Sequence, residues 1–165
     1  MTADPGFGSS AERVRATLAA LGHPDTIVEV PAKARTARGA AEAVGCTVAQ
    51  IAKSIVFRTE GEEPGRAVLV ITSGANRVDP AKAEAALGVA LRQAEPDWVQ
   101  QATGFAIGGV APIGHLSKPL TLLDEDLLKL DPIWAAAGAP HLVFRTTTAE
   151  LQRMSGGAIA AVRQD

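Results

Sequence analysis

At 165 residues the chain has room for one domain with a substantial core. Its 47% hydrophobic and 21% charged content exclude a disordered chain, and no apolar run nears the roughly 20 residues that span a bilayer. The formal net charge of −2 excludes a protein that wraps nucleic acid by displacing counterions, so any RNA contact is local or confined to one end of the molecule.

Aromatics at 4%, with no Tyr, also speak against a broad base-stacking platform. Residues 1–10 carry neither a basic patch nor an apolar stretch, so no signal peptide is expected. Cys46 is the only cysteine and the histidines lack zinc-ligand spacing, which points to a reducing cytoplasm and no metal.

Residues 1–8 read as a loose tail ahead of a domain over 9–165. Ser9 and Glu12 offer a capping box, Val14, Leu18 and Leu21 share a helical face, and Gly22 closes the helix. Residues 27–30 alternate like a short strand. Thr36 caps a helix through Val44, closed by Gly45, and Thr47 with Gln50 boxes a short helix ending near Lys53. Residues 54–58 and 67–72 are predicted strands joined by a polar turn. Asp79-Pro80 opens a helix that Gly88 ends, and 95–102 is a further short helix. Residues 105–114 are too punctuated by Gly and Pro for a regular element. A strand over 120–123, an Asp124-capped turn, a hairpin of 132–137 with 141–145, a helix to Met154 and a strand over 158–162 complete the chain. The mixture predicts an α+β fold, a single domain around one mixed, barrel-like sheet flanked by short helices.

The segment from Gly104 to His115 is the most unusual. Its glycines let backbone approach a ligand and turn several N–H groups to one side, where they can bind a phosphate or an oxyanion. A tight structural loop is the plainer alternative. Lys53, at a helix-to-strand junction, faces either solvent or a cleft, where a point charge suits phosphate. His115 is either a ligand contact or general base, or an exposed loop histidine. Asp79 is explained by capping, Asn76 lies beside it in the same loop, and Cys46 reads as a bystander thiol. No serine sits in a nucleophile elbow.

These segments resemble the YbaK/ProX family, which includes the editing domain inserted in bacterial prolyl-tRNA synthetases. The resemblance runs from about Val28 to the C-terminus. Thr36 with Ala40-Ala41, the run from Gln50 to Ile55, the strand 67–72 and above all the G-x-x-x-P loop within 103–114 carry it. It implies a trans-editing aminoacyl-tRNA deacylase that hydrolyses the ester of a mischarged small amino acid, with tRNA-Pro as one candidate carrier. Lys53 would hold the terminal adenosine, and the backbone at Gly108, Gly109, Val110 and Ala111 would orient the ester carbonyl and stabilise its oxyanion. Water would attack with help from the neighbouring ribose hydroxyl. Thr36, Ser54, Ile55, Asn76, Pro112, Gly114, His115 and Val143 would contact substrate. No cofactor is implied. The partners implied are the acceptor end of aminoacyl-tRNA and a tRNA synthetase as a second candidate, with no stable DNA binding and no membrane.

Some relatives carry Thr or Asn where this chain has Ser54, and the cysteinyl-type branch has an acidic residue near Val143. A cysteine preference is therefore not carried over, and Ala, Ser or Cys is expected. A non-catalytic module binding a nucleotide or aminoacyl group stays open beside this reading, and a DNA-binding protein would need a basic face.

Overall fold

The computed structural model describes residues 5–31, 34 and 36–165. Helix α1 (Pro5–Ala20) buries Val14 and Leu18, and Gly22 follows it at φ 77°. It begins ahead of the expected Ser9 cap, since proline's fixed φ suits a first helical turn. Of the expected tail, residues 1–4 lie outside the described residues, and 5–8 belong to this helix.

Strand β1 (Ile27–Glu29) leads to α2 (Ala37–Val44), where Thr36 Oγ1 accepts the Gly39 N–H at 3.0 Å and Gly45 closes the helix in the left-handed region. The Thr47–Gln50 box spans only a 3-10 turn, Val48–Gln50, and β2 (Ile51–Thr59) starts at once. Lys53 is thus an interior residue of a strand and not a junction residue. Ile51 and Ala52 are drawn into β2 by parallel pairing with Trp134 and Ala135, a contact between residues far apart in the chain.

After β3 (Ala67–Ser73), buried throughout, come α3 (Pro80–Leu87), the short and unexpected β4 (Leu91–Gln93), and α4 (Pro96–Thr103). Then follow β5 (Leu120–Asp124), a 3-10 turn Glu125–Lys129, the hairpin β6 (Ile133–Ala136) and β7 (Leu142–Thr146), α5 (Thr148–Ser155) and β8 (Ala158–Ala160).

The sheet is mixed and eight-stranded, in the order β1-β7-β6-β2-β3-β5-β8, with β4 also on β2. It is open, with β1 and β8 at its ends, so it is not closed into a barrel. One face packs Leu69, Ile71, Leu123 and Phe144 against α1 and the loop after α4, and the other packs Val68, Val70 and Leu122 against α3.

Asp124, fully buried at the end of β5, ties the sheet's centre together. Its carboxylate accepts from Thr72 Oγ1 (2.8 Å), the Ser73 N–H (3.1 Å), Asn76 Nδ2 (2.8 Å) and the Asp126 N–H (2.9 Å). No described helix is long and apolar enough to cross a membrane.

Candidate active site

The site begins with a gap in the sheet. One edge of β2 pairs with β3 over residues 52–58. The opposite edge meets β6 only at Ile51 and Ala52, and β4 only at residues 57–59. The Gly74 N–H donates to the Ile51 carbonyl (2.6 Å) and the Thr59 N–H to the Arg66 carbonyl (2.9 Å). Odd-numbered residues of β2 therefore turn their amides to β3, and even-numbered ones to the other edge. The peptide groups of Ser54 and Val56 face the gap without a ladder partner among the described residues.

A cavity of about 290 Å³ opens there. It sits near the lower end of the roughly 300–1,000 Å³ typical of small-molecule sites, so it has room for a small group and not for a nucleic-acid chain. Ala34, Ala37, Ala40, Ile51, Trp134, Ala136 and Val143 form much of its apolar wall, and Thr36, Lys53 and Ser54 supply hydroxyl and ammonium groups. Among the described residues no acidic side chain lines it, so a cationic amino-acid side chain would find no partner there.

Lys53 is half-buried and its ammonium has no carboxylate within ion-pair distance among the described residues. Burial first, and then the like charge of Arg77, lower its pKa. A cation held without a counter-ion in a partly desolvated site favours an incoming anion. Beside it, Ser54 Oγ is buried with no hydrogen-bond partner among the described residues. Native interiors rarely leave a hydroxyl so, and such an orphan at a cavity wall marks a place for a ligand's polar atom.

The glycine loop forms the facing wall through Ile107, Gly108 and Val110. Gly108 sits at φ 96°, in the left-handed region that a residue with a Cβ avoids. Gly109 is needed for space, because a Cβ there would stand 2.9 Å from Ala139 Cα. The Gly109 N–H is already used by the Ala106 carbonyl (3.0 Å). Gly108, Val110 and Ala111 have no N–H partner among the described residues, and of these Gly108 and Val110 line the cavity.

Ile55 also lines this cavity, and the remaining expected residues are placed elsewhere. Pro112, Gly114 and His115 line a second cavity of about 350 Å³ behind the loop. His115 Nε2 donates to the Ala111 carbonyl (2.7 Å), while its Nδ1 is buried without a partner among the described residues. Desolvation, opposed by the Ala111 bond and reinforced by Arg13, lowers its pKa, so the ring is neutral and braces the loop. Asn76 donates to Asp124 (2.8 Å) and Asp126 (2.9 Å), outside the first cavity's lining. Ala111 is buried behind that wall. Cys46 is not itself a lining residue, although it packs in one apolar cluster with Ala40 and Ile51, which are, and burial raises its pKa.

Sequence reasoning missed Trp134, Ile107 and Pro140, all at the cavity. Trp134 carried a signal. It is one of only two tryptophans in the chain and stands in a short apolar run, and in the strand it falls on the less buried face. Among the described residues no cluster of three or more His, Cys, Asp or Glu gathers for a metal.

Comparison with known proteins identifies the family and the fold. Residues 31–154 match the model of the aminoacyl-tRNA editing domain. An uncharacterized protein of Bacillus subtilis (strain 168), YwhH, is 30% identical over 146 residues, covering 88% of this chain and 91% of that one. A crystal structure described as that of a candidate trans-editing enzyme for prolyl tRNA synthetase is 44% identical, with a TM-score of 0.87 over 99% of this chain and all of the other. A hypothetical protein of 22% identity shares the fold, at a TM-score of 0.83 over 92% of this chain and 99% of its own. The chain therefore belongs to the YbaK/ProX family of aminoacyl-tRNA editing domains.

Proposed function

We propose that this protein is a trans-acting deacylase that hydrolyses the ester between a small mischarged amino acid and the terminal ribose of tRNA. The observation that carries the reading is the meeting, in one cavity, of the uncompensated Lys53 cation and the unpaired Gly108 and Val110 N–H groups. Lys53 holds the phosphate or ribose end of the terminal adenosine. The two N–H groups receive the ester carbonyl and stabilise the oxyanion as water adds. The tetrahedral intermediate collapses by breaking the ester C–O bond, releasing free amino acid and leaving the proton on the ribose oxygen.

Among the described residues the lining holds no His, Asp, Glu or Cys, so the vicinal ribose hydroxyl relays the proton, accepting one from the attacking water as it passes its own to the leaving ribose oxygen. Small apolar walls and the orphan Ser54 hydroxyl suit Ala, Ser or Cys over larger side chains. The 44%-identical relative supports tRNA-Pro as carrier and a synthetase as delivering partner.

One observation favours a second reading: a cavity without a protein base also suits a module that binds an aminoacyl group without turnover. A panel of tRNAs charged with Ala, Ser, Cys, Thr or Pro separates the two. Deacylation predicts rapid release of one small amino acid, lost when the terminal ribose lacks the vicinal hydroxyl. Tight binding with release at the spontaneous rate would leave only the module.

A further inference from the structure

The loop that carries the proposed oxyanion donors is fastened from outside the matched family region. Arg13 belongs to α1, before residue 31, where the family match begins. Its Nε donates to the Gly114 carbonyl at 2.6 Å, and its Nη2 to the Gly104 carbonyl at 2.9 Å. Those two glycines bound the loop, and both are in the left-handed region, at φ 83° for Gly104 and 81° for Gly114. They are the positions where backbone rotation meets least steric resistance. A single planar guanidinium therefore spans both hinges, a geometry that a point charge does not reproduce.

Arg13 also lies over the Phe105 ring at 4.7 Å, and Phe105 meets the His115 ring edge to face at 5.0 Å. His115 in turn donates to the Ala111 carbonyl. On the same helix, Ser10 Oγ donates to the Gly138 carbonyl at 2.7 Å, holding the turn whose Ala139 backs Gly109.

We infer that Arg13 is a positioning residue for the proposed hydrolysis: by locking both glycine hinges from α1, it holds the Gly108 and Val110 backbone in place at the cavity wall. The inference rests on the deacylase reading for its catalytic consequence, and on the loop contacts for its structural one.

The test uses the full chain with Arg13→Met and Arg13→Lys. Single-turnover release from the preferred mischarged tRNA is measured against substrate concentration, together with amide hydrogen exchange over 104–115. In Arg13→Met the maximal rate falls about a hundredfold, the loss associated with a displacement near 1 Å. Half-saturation stays within about threefold, because Lys53 is untouched. Arg13→Lys, donating to one carbonyl at a time, recovers part of the rate.

Loop exchange speeds by about tenfold in Arg13→Met, while β3 keeps its protection. If the methionine variant does not fold, the lysine variant carries the same readouts with smaller changes. A rate within about twofold of wild type would overturn the inference, as would loop exchange identical to wild type. Should wild type release no amino acid at all, the deacylase reading fails by itself, and loop exchange alone decides whether the clamp exists.

Discussion

Gly109→Ala probes the account at the point where backbone meets backbone. The added Cβ would stand 2.9 Å from Ala139 Cα and 3.2 Å from both its carbonyl carbon and its nitrogen. Carbon contacts settle near 3.5–4.0 Å, so the two segments must part by roughly 0.6–1 Å. Ala139 is fully buried and its neighbour Gly138 is pinned by Ser10, so the glycine loop gives way. The shift passes to Gly108 and Val110 on either side. Overpacking of this kind costs about 1–3 kcal/mol of stability, and a displacement near 1 Å lowers the rate about a hundredfold.

Thermal melting and single-turnover deacylation measure the two effects. Gly88→Ala is the control. Gly88 lies at φ 72° with nothing within 4 Å of the added Cβ, so alanine there costs about 1–2 kcal/mol of backbone strain without touching the site. The expected pattern is comparable destabilisation with only Gly109→Ala slowed. Hydrolysis by Gly109→Ala within about threefold of wild type would refute the reasoning, and equal slowing by Gly88→Ala would assign the effect to stability alone.

Ser54→Ala removes a buried, unpartnered hydroxyl, so stability rises or holds within about 1 kcal/mol while deacylation weakens. A loss of stability with unchanged activity would contradict a ligand role for Ser54. Asp124→Leu strands the donors of Thr72, Ser73 and Asn76, and a loss of about 3 kcal/mol or more is expected in denaturant titration. The His115 pKa is lowered in the fold, so the neutral ring's contribution is complete above the ordinary histidine value of about 6.5 and is lost as pH falls below it. The stability advantage of wild type over His115→Gln therefore narrows from about pH 7.5 to about pH 5, and a constant gap would show that the ring does not titrate as described.

Capping chemistry made the helix ends legible. Thr36 with Gly45, Asp79-Pro80 with Gly88, and Thr147 before the last helix all fall where residue chemistry places them. Short apolar runs bounded by turn residues likewise predicted β3 and the β6–β7 hairpin. What escaped was non-local. Lys53 reads as a junction residue until the parallel pairing of Ile51 with Trp134 extends β2 toward its N-terminal end. The gap in that strand's pairing, which creates the cavity, depends on where β4 and β6 stop.

The glycine loop was visible by composition, but its donors were not equal. Only the fold reveals that Ala106 consumes the Gly109 N–H. Arg13 gave no signal, because its partners lie 91 and 101 residues away. Asn76 and His115 were conspicuous as polar loop residues, yet their hydrogen bonds turn inward to Asp124 and Ala111.

The most direct measurement is single-turnover deacylation of the preferred mischarged tRNA by wild type, Lys53→Ala and Lys53→Arg, with melting curves for each. Lys53 has no ion-pair partner among the described residues, so its removal leaves the fold intact, and the rate is expected to fall about a hundredfold to a thousandfold in Lys53→Ala with partial recovery in Lys53→Arg. A folded Lys53→Ala protein that releases the amino acid as fast as wild type would contradict the placement of the reaction in this cavity.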